Sequence, residues 1–428
     1  MKADLAEVLL GFLDAHRQEM LDFACRLIAT PSPNPPGDER AVTEVILEEM
    51  EALGLEGAEV WARTPERPNL IYRLAGKRGA PCLILNGHTD TKPVGEQDRA
   101  LWRTDPLRPT FVDGYIYGLG SADMKGAVAA MVYATAALHS LPEALAGDLL
   151  LVLVANEEGP GEYGANWLVK AHPLQADFCL VGEPCGIHRD FDHLPICARS
   201  TVLFKAKVYG TQMHSSVSDR FHAVNASVKM AWVLWRMAKD LRLNFPPHPL
   251  YPQGPTVNLG DFVRGGVTYG VCPGYAEFGS DVRIHPGMTR AGVKRDLEAF
   301  IAQLRAEDPE LQVELEFLGE DRGEGWEVLQ GDEPFVHILK GAAEQVLGRP
   351  VPLGGYPAFT DAYWFHTHAG IPSIPAFGPG LLPLAHGPNE HVSAKAIVEA
   401  SKIYALAAAE YLTGSDETEK GGSRAAST

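Results

Sequence analysis

His88 and Asp90 stand two residues apart at the end of the apolar run Leu83-Ile84-Leu85-Asn86-Gly87. On a strand, residues i and i+2 share a face, so the imidazole and the carboxylate point the same way. A metal ligand and the carboxylate that orients it are often arranged like this. Three more segments follow the same grammar, an apolar strand or glycine-rich turn and then ligand-type residues. They hold Asp123 (in Gly118-Leu119-Gly120-Ser121-Ala122-Asp123-Met124-Lys125-Gly126), the doublet Glu157-Glu158, and Glu183 (in Val181-Gly182-Glu183-Pro184). A fifth segment, Ala385-His386-Gly387-Pro388-Asn389-Glu390, lies far downstream.

The residue types suggest one chemistry. Two histidines and three carboxylates can hold two divalent ions if one carboxylate bridges. Metals about 3.5–4 Å apart can share a water, lower its pKa and polarise a carbonyl. Carboxylate-rich shells with few histidines suit zinc, with cobalt or manganese as substitutes. A general base must still move the proton of that water to the leaving nitrogen. Glu157-Glu158 supplies a candidate, because adjacent residues at a strand end point in opposite directions. Taken singly, each segment has a plainer reading. His-x-Asp after a strand is often a hydrogen-bonded pair, Asp123 before a helix serves as an N-cap, and a Glu doublet sits on many solvated turns. Their joint occurrence in order, at strand ends of one chain, favours the metal reading. The other histidines lack this context.

These segments need elements to bring them together. Residues 5–29 and 41–53 are predicted helices, and strands are expected near 69–74 and 81–86. A helix over 122–140, entered through the Gly118–Gly120 turn, precedes buried strands at 148–155 and 176–181. Strands apolar on both faces, alternating with helices, predict a mostly parallel α/β sheet covered on both sides. In such sheets, sites lie beyond the carboxyl ends of the strands. From about residue 199 the pattern changes. Strands at 201–209, 256–262, 275–284 and 311–317 and helices at 223–241 and 290–306 give the order β-α-β-β-α-β. This reads as a small inserted α+β sandwich, ferredoxin-like, over 199–318. Residues 1–198 and 319–412 form the α/β domain, which resumes with helices at 334–347 and 394–412, and 413–428 read as a disordered tail.

The chain has 428 residues, 46% of them hydrophobic, which is ample for large cores. Its formal charge of −18 argues against nucleic acid or an anionic membrane as a partner. Six cysteines without a CxxC pair read as reduced thiols. No signal peptide and no apolar stretch of membrane-spanning length is expected, which points to the cytoplasm.

The five ordered motifs resemble the zinc-dependent family of acetylornithine deacetylase, succinyl-diaminopimelate desuccinylase, aminoacylase-1 and glutamate-releasing carboxypeptidase, over about residues 20–412. The resemblance implies a zinc-exopeptidase-like catalytic domain with two Zn2+ per protomer. His88, Asp123 and Glu183 would hold one metal. Asp123, as the bridge, would hold the other with Glu158 and His386. Asp90 would orient His88, and Glu157 would be the general base. His214, in Gly210-Thr211-Gln212-Met213-His214-Ser215-Ser216, resembles the family histidine that reaches a neighbouring subunit's site and stabilises the oxyanion. This implies a homodimer built through the inserted domain. Asn258 and Arg283 match positions that bind the substrate carboxylate, a task suited to the arginine fork.

The expected activity is therefore hydrolysis of the amide of a small N-acyl amino acid or short peptide bearing a free carboxylate. A dipeptidase or aminopeptidase on the same scaffold is the alternative; a catalytically idle metal- or ligand-binding homologue is a third. Departures from the family pattern bear on the substrate. Asn156 replaces the usual Asp before the Glu pair, residues 186–200 lengthen the link to the inserted domain, and Gly354-Gly355-Tyr356-Pro357-Ala358-Phe359-Thr360-Asp361 replaces a tighter Gly-Gly-Ser/Thr-Asp pattern.

Overall fold

A computed structural model describes residues 3–141, 144–159, 161–172, 174–319 and 329–413. The tail expected from 413 lies, after that residue, outside the described ones. The chain divides into two compact units. The first comprises Met1–Ile196, Leu329–Tyr356 and Thr360–Thr428, and the second Cys197–Val328 with Pro357–Phe359.

The first unit is built on a six-stranded sheet in the order Glu59–Ala62, Pro68–Leu74, Asp148–Val154, Cys82–His88, Phe178–Val181, Ser373–Ile374. The last four strands run parallel, and the first two are antiparallel to their neighbours. The parallel strands are buried on both faces. Every residue of Cys82–His88 and Asp148–Val154 is buried, as their unbroken apolar runs require. The alanine-rich helices Gly126–His139 and Ala394–Thr413 pack against each other, and small side chains let them approach closely. Of the six cysteines, all free, Cys25 is half-buried and the others are buried.

Two helices differ from expectation. The single helix over 5–29 is two, Ala3–Ala15 and Arg17–Ala29, broken at His16. There the Phe12 carbonyl is shared between the His16 N–H, 3.0 Å away, and its ring Nδ1, 2.9 Å away. The helix expected over 122–140 begins at Gly126. Before it, Asp123 has extended backbone (φ −124°, ψ 90°) inside a wide turn, and Lys125 rather than Asp123 occupies the N-cap position.

The long elements of the second unit follow the order β-α-β-β-α-β. Its four long strands form one antiparallel sheet in the order Thr256–Gly265, Tyr275–Ile284, Ser200–Tyr209, Gln312–Leu318, and Met213–His214 pairs separately with Val271–Cys272. Val202, Phe204, Ala206 and Val208 alternate inward from the central strand, as a half-buried strand demands. They pack with Val233, Met237, Leu297 and Leu304 of helices Ala226–Asp240 and Arg290–Glu307. Asn225 and Thr289 cap those helices, accepting from the N–H groups of Val228 and Gly292.

Candidate metal centre

His88 ends its strand, and Glu183 lies just past the end of the parallel strand Phe178–Val181. His88 Nε2 is 3.0 Å from Asp123 Oδ1 and 3.4 Å from Glu183 Oε1. His386 Nε2 is 3.2 Å from the other Asp123 oxygen and 3.0 Å from Glu158 Oε1. Two triads, His88–Asp123–Glu183 and Asp123–Glu158–His386, thus converge with Asp123 common to both, each with ligand atoms within 4.8 Å of one another.

The triads suit divalent cations by their electrostatics. Burial alone would lower the His88 imidazolium, yet Asp123, Asp90 and Glu183 outweigh it and hold that group well above its usual range. Burial likewise opposes His386, but Asp123 and Glu158 carry it to about 11. Glu183 is pushed well up by burial and by the charge of Asp123. Burial and the charges of Glu158, Asp123 and Asp90, against His88, lift Glu157 to about 7. Such an excess of buried carboxylate is costly without a compensating cation. The His88 tautomer fits too. Nδ1 is 3.0 Å from the Asp90 carbonyl oxygen, and a proton there turns the Nε2 lone pair toward Asp123 and Glu183.

Asp90 contacts more than His88. It is fully buried, with Oδ1 3.5 Å from His88 Nδ1. Its two oxygens also accept from the Glu157 and Glu158 N–H groups, both at 3.1 Å, and from Asn34 Nδ2 at 2.8 Å. Residue 90 therefore holds His88 through its main-chain carbonyl and the Glu doublet through its carboxylate. Burial opposes its ionisation, but His88, Asn34 and the Glu157 N–H hold its pKa below the ordinary value.

The Glu doublet itself is not at a strand end, as its spacing suggested. The strand stops at Val154, and Glu157-Glu158 ride on a turn. Asn156 opens this turn with φ 60°, a left-handed conformation that asparagine tolerates better than most residues. Its carbonyl accepts from Gly161 N and its Oδ1 from Tyr163 N.

Glu390, inside the fifth motif but not singled out there, explains the Asp123 turn. Its buried carboxylate accepts from the N–H groups of Gly120 and Ala122 at 2.9 Å and of Asp123 at 3.1 Å. Burial and the Asp123 charge lift Glu390 to about 8 against those three donors. Lys125 anchors the same turn by donating to the Leu27 and Thr30 carbonyls. Lys92 Nζ is 3.1 Å from Glu158 Oε2. No spacing rule marks these partners, because their significance comes from burial and from distant backbone. The replaced segment at 354–361 holds buried Tyr356, whose hydroxyl donates to the Pro184 carbonyl, next to Glu183.

His214, Asn258 and Arg283 belong to the second unit. His214 is exposed on a short two-stranded antiparallel pair, Met213–His214 with Val271–Cys272, and its Nδ1 accepts from Ser216 N at 3.3 Å. Asn258 and Arg283 lie on adjacent strands, and Asp281 links them. Asp281 Oδ1 accepts from Arg283 Nε at 2.7 Å and Oδ2 from Asn258 Nδ2 at 3.3 Å. Asp281 was not marked in the sequence.

Comparison with known families matches residues 84–410 to peptidase family M20/M25/M40. Among curated relatives, the N-formyl-4-amino-5-aminomethyl-2-methylpyrimidine deformylase of Halalkalibacterium halodurans is 28% identical over 418 residues, 94% of this chain and 96% of the relative. The succinyl-diaminopimelate desuccinylase of Gluconacetobacter diazotrophicus is 28% identical over 405 residues, 92% of this chain and 97% of the relative. Among solved structures, human carnosine dipeptidase 1 superposes with a TM-score of 0.75 at 18% identity, covering 95% of this chain and 99% of that one.

Proposed function

The chain belongs to peptidase family M20/M25/M40, and on that premise we propose that it hydrolyses the amide bond of a small N-acyl amino acid with a free carboxylate. The observation that carries this reading is the pair of triads sharing Asp123. His88, Asp123 and Glu183 would hold one Zn2+, and Asp123, Glu158 and His386 the other, with Co2+ or Mn2+ as substitutes. When bound, the ions supply Lewis acidity, which lowers the pKa of a water and polarises a carbonyl.

The chain's own residues do the rest. Glu157 takes the proton of the attacking water and returns it to the leaving amine, a role that needs a carboxylate on the turn beside Glu158. Asp90 keeps His88 in its tautomer through its main-chain carbonyl and aligns the turn with its carboxylate. Arg283 and Asn258 receive the substrate carboxylate, and His214 donates to the oxyanion from a second copy of the chain, with residues 199–318 forming the dimer contact. Cytoplasmic location is part of the same proposal; among the described residues no helix is long and apolar enough to cross a membrane.

A second reading rests on a specific observation. Asp281 already engages Arg283 Nε, and a relative matched over 418 residues is named as a deformylase of an aminomethylpyrimidine. An N-formyl amine without a carboxylate is therefore the rival substrate, and dipeptides remain a third class. Initial rates on N-acetyl and N-succinyl amino acids, dipeptides and an N-formyl aminomethylpyrimidine, with added zinc, cobalt or manganese, separate them. Faster turnover of the pyrimidine, with Arg283→Ala neutral, would replace the first reading by the second. Sedimentation giving a species near the chain mass of 46.4 kDa at micromolar concentration would remove the dimer.

A further inference from the structure

Beyond the five motifs, one buried polar group is linked through intermediate residues to two points of the turn that carries Glu157 and Glu158. We infer that Arg67, acting through Asn34, is a positioning residue for the Glu157–Glu158 turn and His88; this rests on the reading of that turn as base and ligand.

Arg67 is buried, with 9% of its surface exposed, and its guanidinium has four neighbours of different kinds. Nη1 donates to Glu39 Oε1 at 2.7 Å, and Glu39 is itself fully buried. Nη2 donates to the Pro36 carbonyl at 2.9 Å and to Asn34 Oδ1 at 3.3 Å. The Tyr163 ring faces the guanidinium carbon at 5.4 Å.

Two arms run from this group to the turn. Through the first, Asn34 receives from Arg67 at its oxygen and gives its Nδ2 hydrogen to Asp90 Oδ2 at 2.8 Å. An amide is the one side chain of this size that accepts at one end and donates at the other. Asp90 then holds the N–H groups of Glu157 and Glu158. Through the second arm, Tyr163 under the guanidinium donates its N–H to Asn156 Oδ1, at the start of the same turn.

The proline-rich loop that carries Asn34 is fitted to this task. It lies along the segment after His88. Asn34 N donates to the Thr91 carbonyl at 2.8 Å, Thr91 N to the Ser32 carbonyl at 2.9 Å, and Ser32 Oγ to the Thr89 carbonyl at 2.7 Å. Asp90 sits between those anchor points. Gly37 makes room for the arginine. Its φ is +80°, and a Cβ there would lie 1.8 Å from Arg67 Nη1. Four prolines stiffen the loop, so its register along Thr89–Thr91 is held at small entropic cost.

The test uses Asn34→Ala, Arg67→Lys and Asp90→Asn in the full-length protein. Binding of Co2+ is followed by its visible absorption and by chelator competition, beside kcat and KM for the best substrate of the screen. Asn34→Ala is expected to weaken Co2+ binding by about 10–100-fold, shift its spectrum and lower kcat with KM within about twofold. Arg67→Lys, which keeps the charge but loses the fork, falls between wild type and Asn34→Ala. Since Asn34 acts through Asp90, adding Asn34→Ala to Asp90→Asn should cost little more than Asp90→Asn alone. A double variant that shows the full product of the two single losses overturns the inference. So does Asn34→Ala with wild-type Co2+ affinity, spectrum and kcat. Should Asn34→Ala not fold, Arg67→Lys carries the same measurements, and its matching wild type overturns the inference equally. Wild-type protein that takes up no Co2+ overturns the proposed function instead, which keeps the two failures apart.

Discussion

Asp90→Asn changes one atom and no volume, and the structure says why it should be felt. Oδ1 accepts from Glu157 N and faces His88 Nδ1, while Oδ2 accepts from Glu158 N and Asn34 Nδ2. An amide turned either way sets an NH2 against at least one backbone N–H. The cheaper orientation keeps the oxygen at Oδ2 and loses the Glu157 N–H. One orphaned buried N–H costs about 1–3 kcal/mol, and two surviving bonds fall from charge-assisted to neutral at about 1 kcal/mol each. Relief of carboxylate burial offsets part of this, leaving about 2–4 kcal/mol, a large share of a typical total of about 5–15 kcal/mol. Urea unfolding of chelator-treated protein reads this term without metal. With metal restored, loss of the carboxylate partner should lower metal affinity or kcat/KM by about 10–100-fold. Asp90→Asn apo-protein within about 0.5 kcal/mol of wild type, the range of ordinary surface changes, would refute the placement of Asp90 as the clamp of the turn.

Three other outcomes are expected. Glu157→Ala should keep both metals by elemental analysis and lose about 10²–10⁴-fold in kcat, the span of general acid–base catalysis; near-wild-type activity with both metals present would remove Glu157 as the base. Chelation should lower the thermal midpoint, since each saturated site contributes about 2.7 kcal/mol at a hundredfold excess over Kd, and an unchanged midpoint would count against ions joining the triads. Burial pulls Lys125 down to about 7 from 10.5 against the charges of Glu390 and Asp90. The unfolded chain then holds the extra proton between those values, so wild-type stability should rise with pH across that window relative to Lys125→Met, by up to about 1.4 kcal/mol per unit. A gap between the two urea curves that stays constant from pH 7 to about 10 would contradict this.

What was legible in the sequence was what depends on local order. Unbroken apolar runs such as Leu83–Leu85 and Leu149–Val154 mark buried strands because burial on both faces leaves no place for polar residues. The β-α-β-β-α-β order of the second unit was legible because alternation and helical spacing are local signals. Ligand-type residues beyond strand ends were legible because each follows directly on its strand or turn. The single helix over 5–29 and the helix start at 122 were misread because carbonyl sharing at Phe12 and the Glu390 carboxylate, 267 residues from Asp123, intervene. The Glu doublet sits on a turn rather than at a strand end because of the left-handed conformation at Asn156, which has no strong sequence mark.

The sequence by itself determined the inventory of the candidate site and the strands that carry it. Which oxygen meets which nitrogen was decided only by tertiary structure. Parallel strands with long crossovers bring His88, Glu158 and Glu183 to one end of a sheet, and His386 joins them from more than two hundred residues away. The groups that hold these side chains still, Glu390, Asn34 and Arg67, are ordinary residues in sequence. They matter because the fold buries them, and a buried polar group must find a partner wherever the chain has placed one.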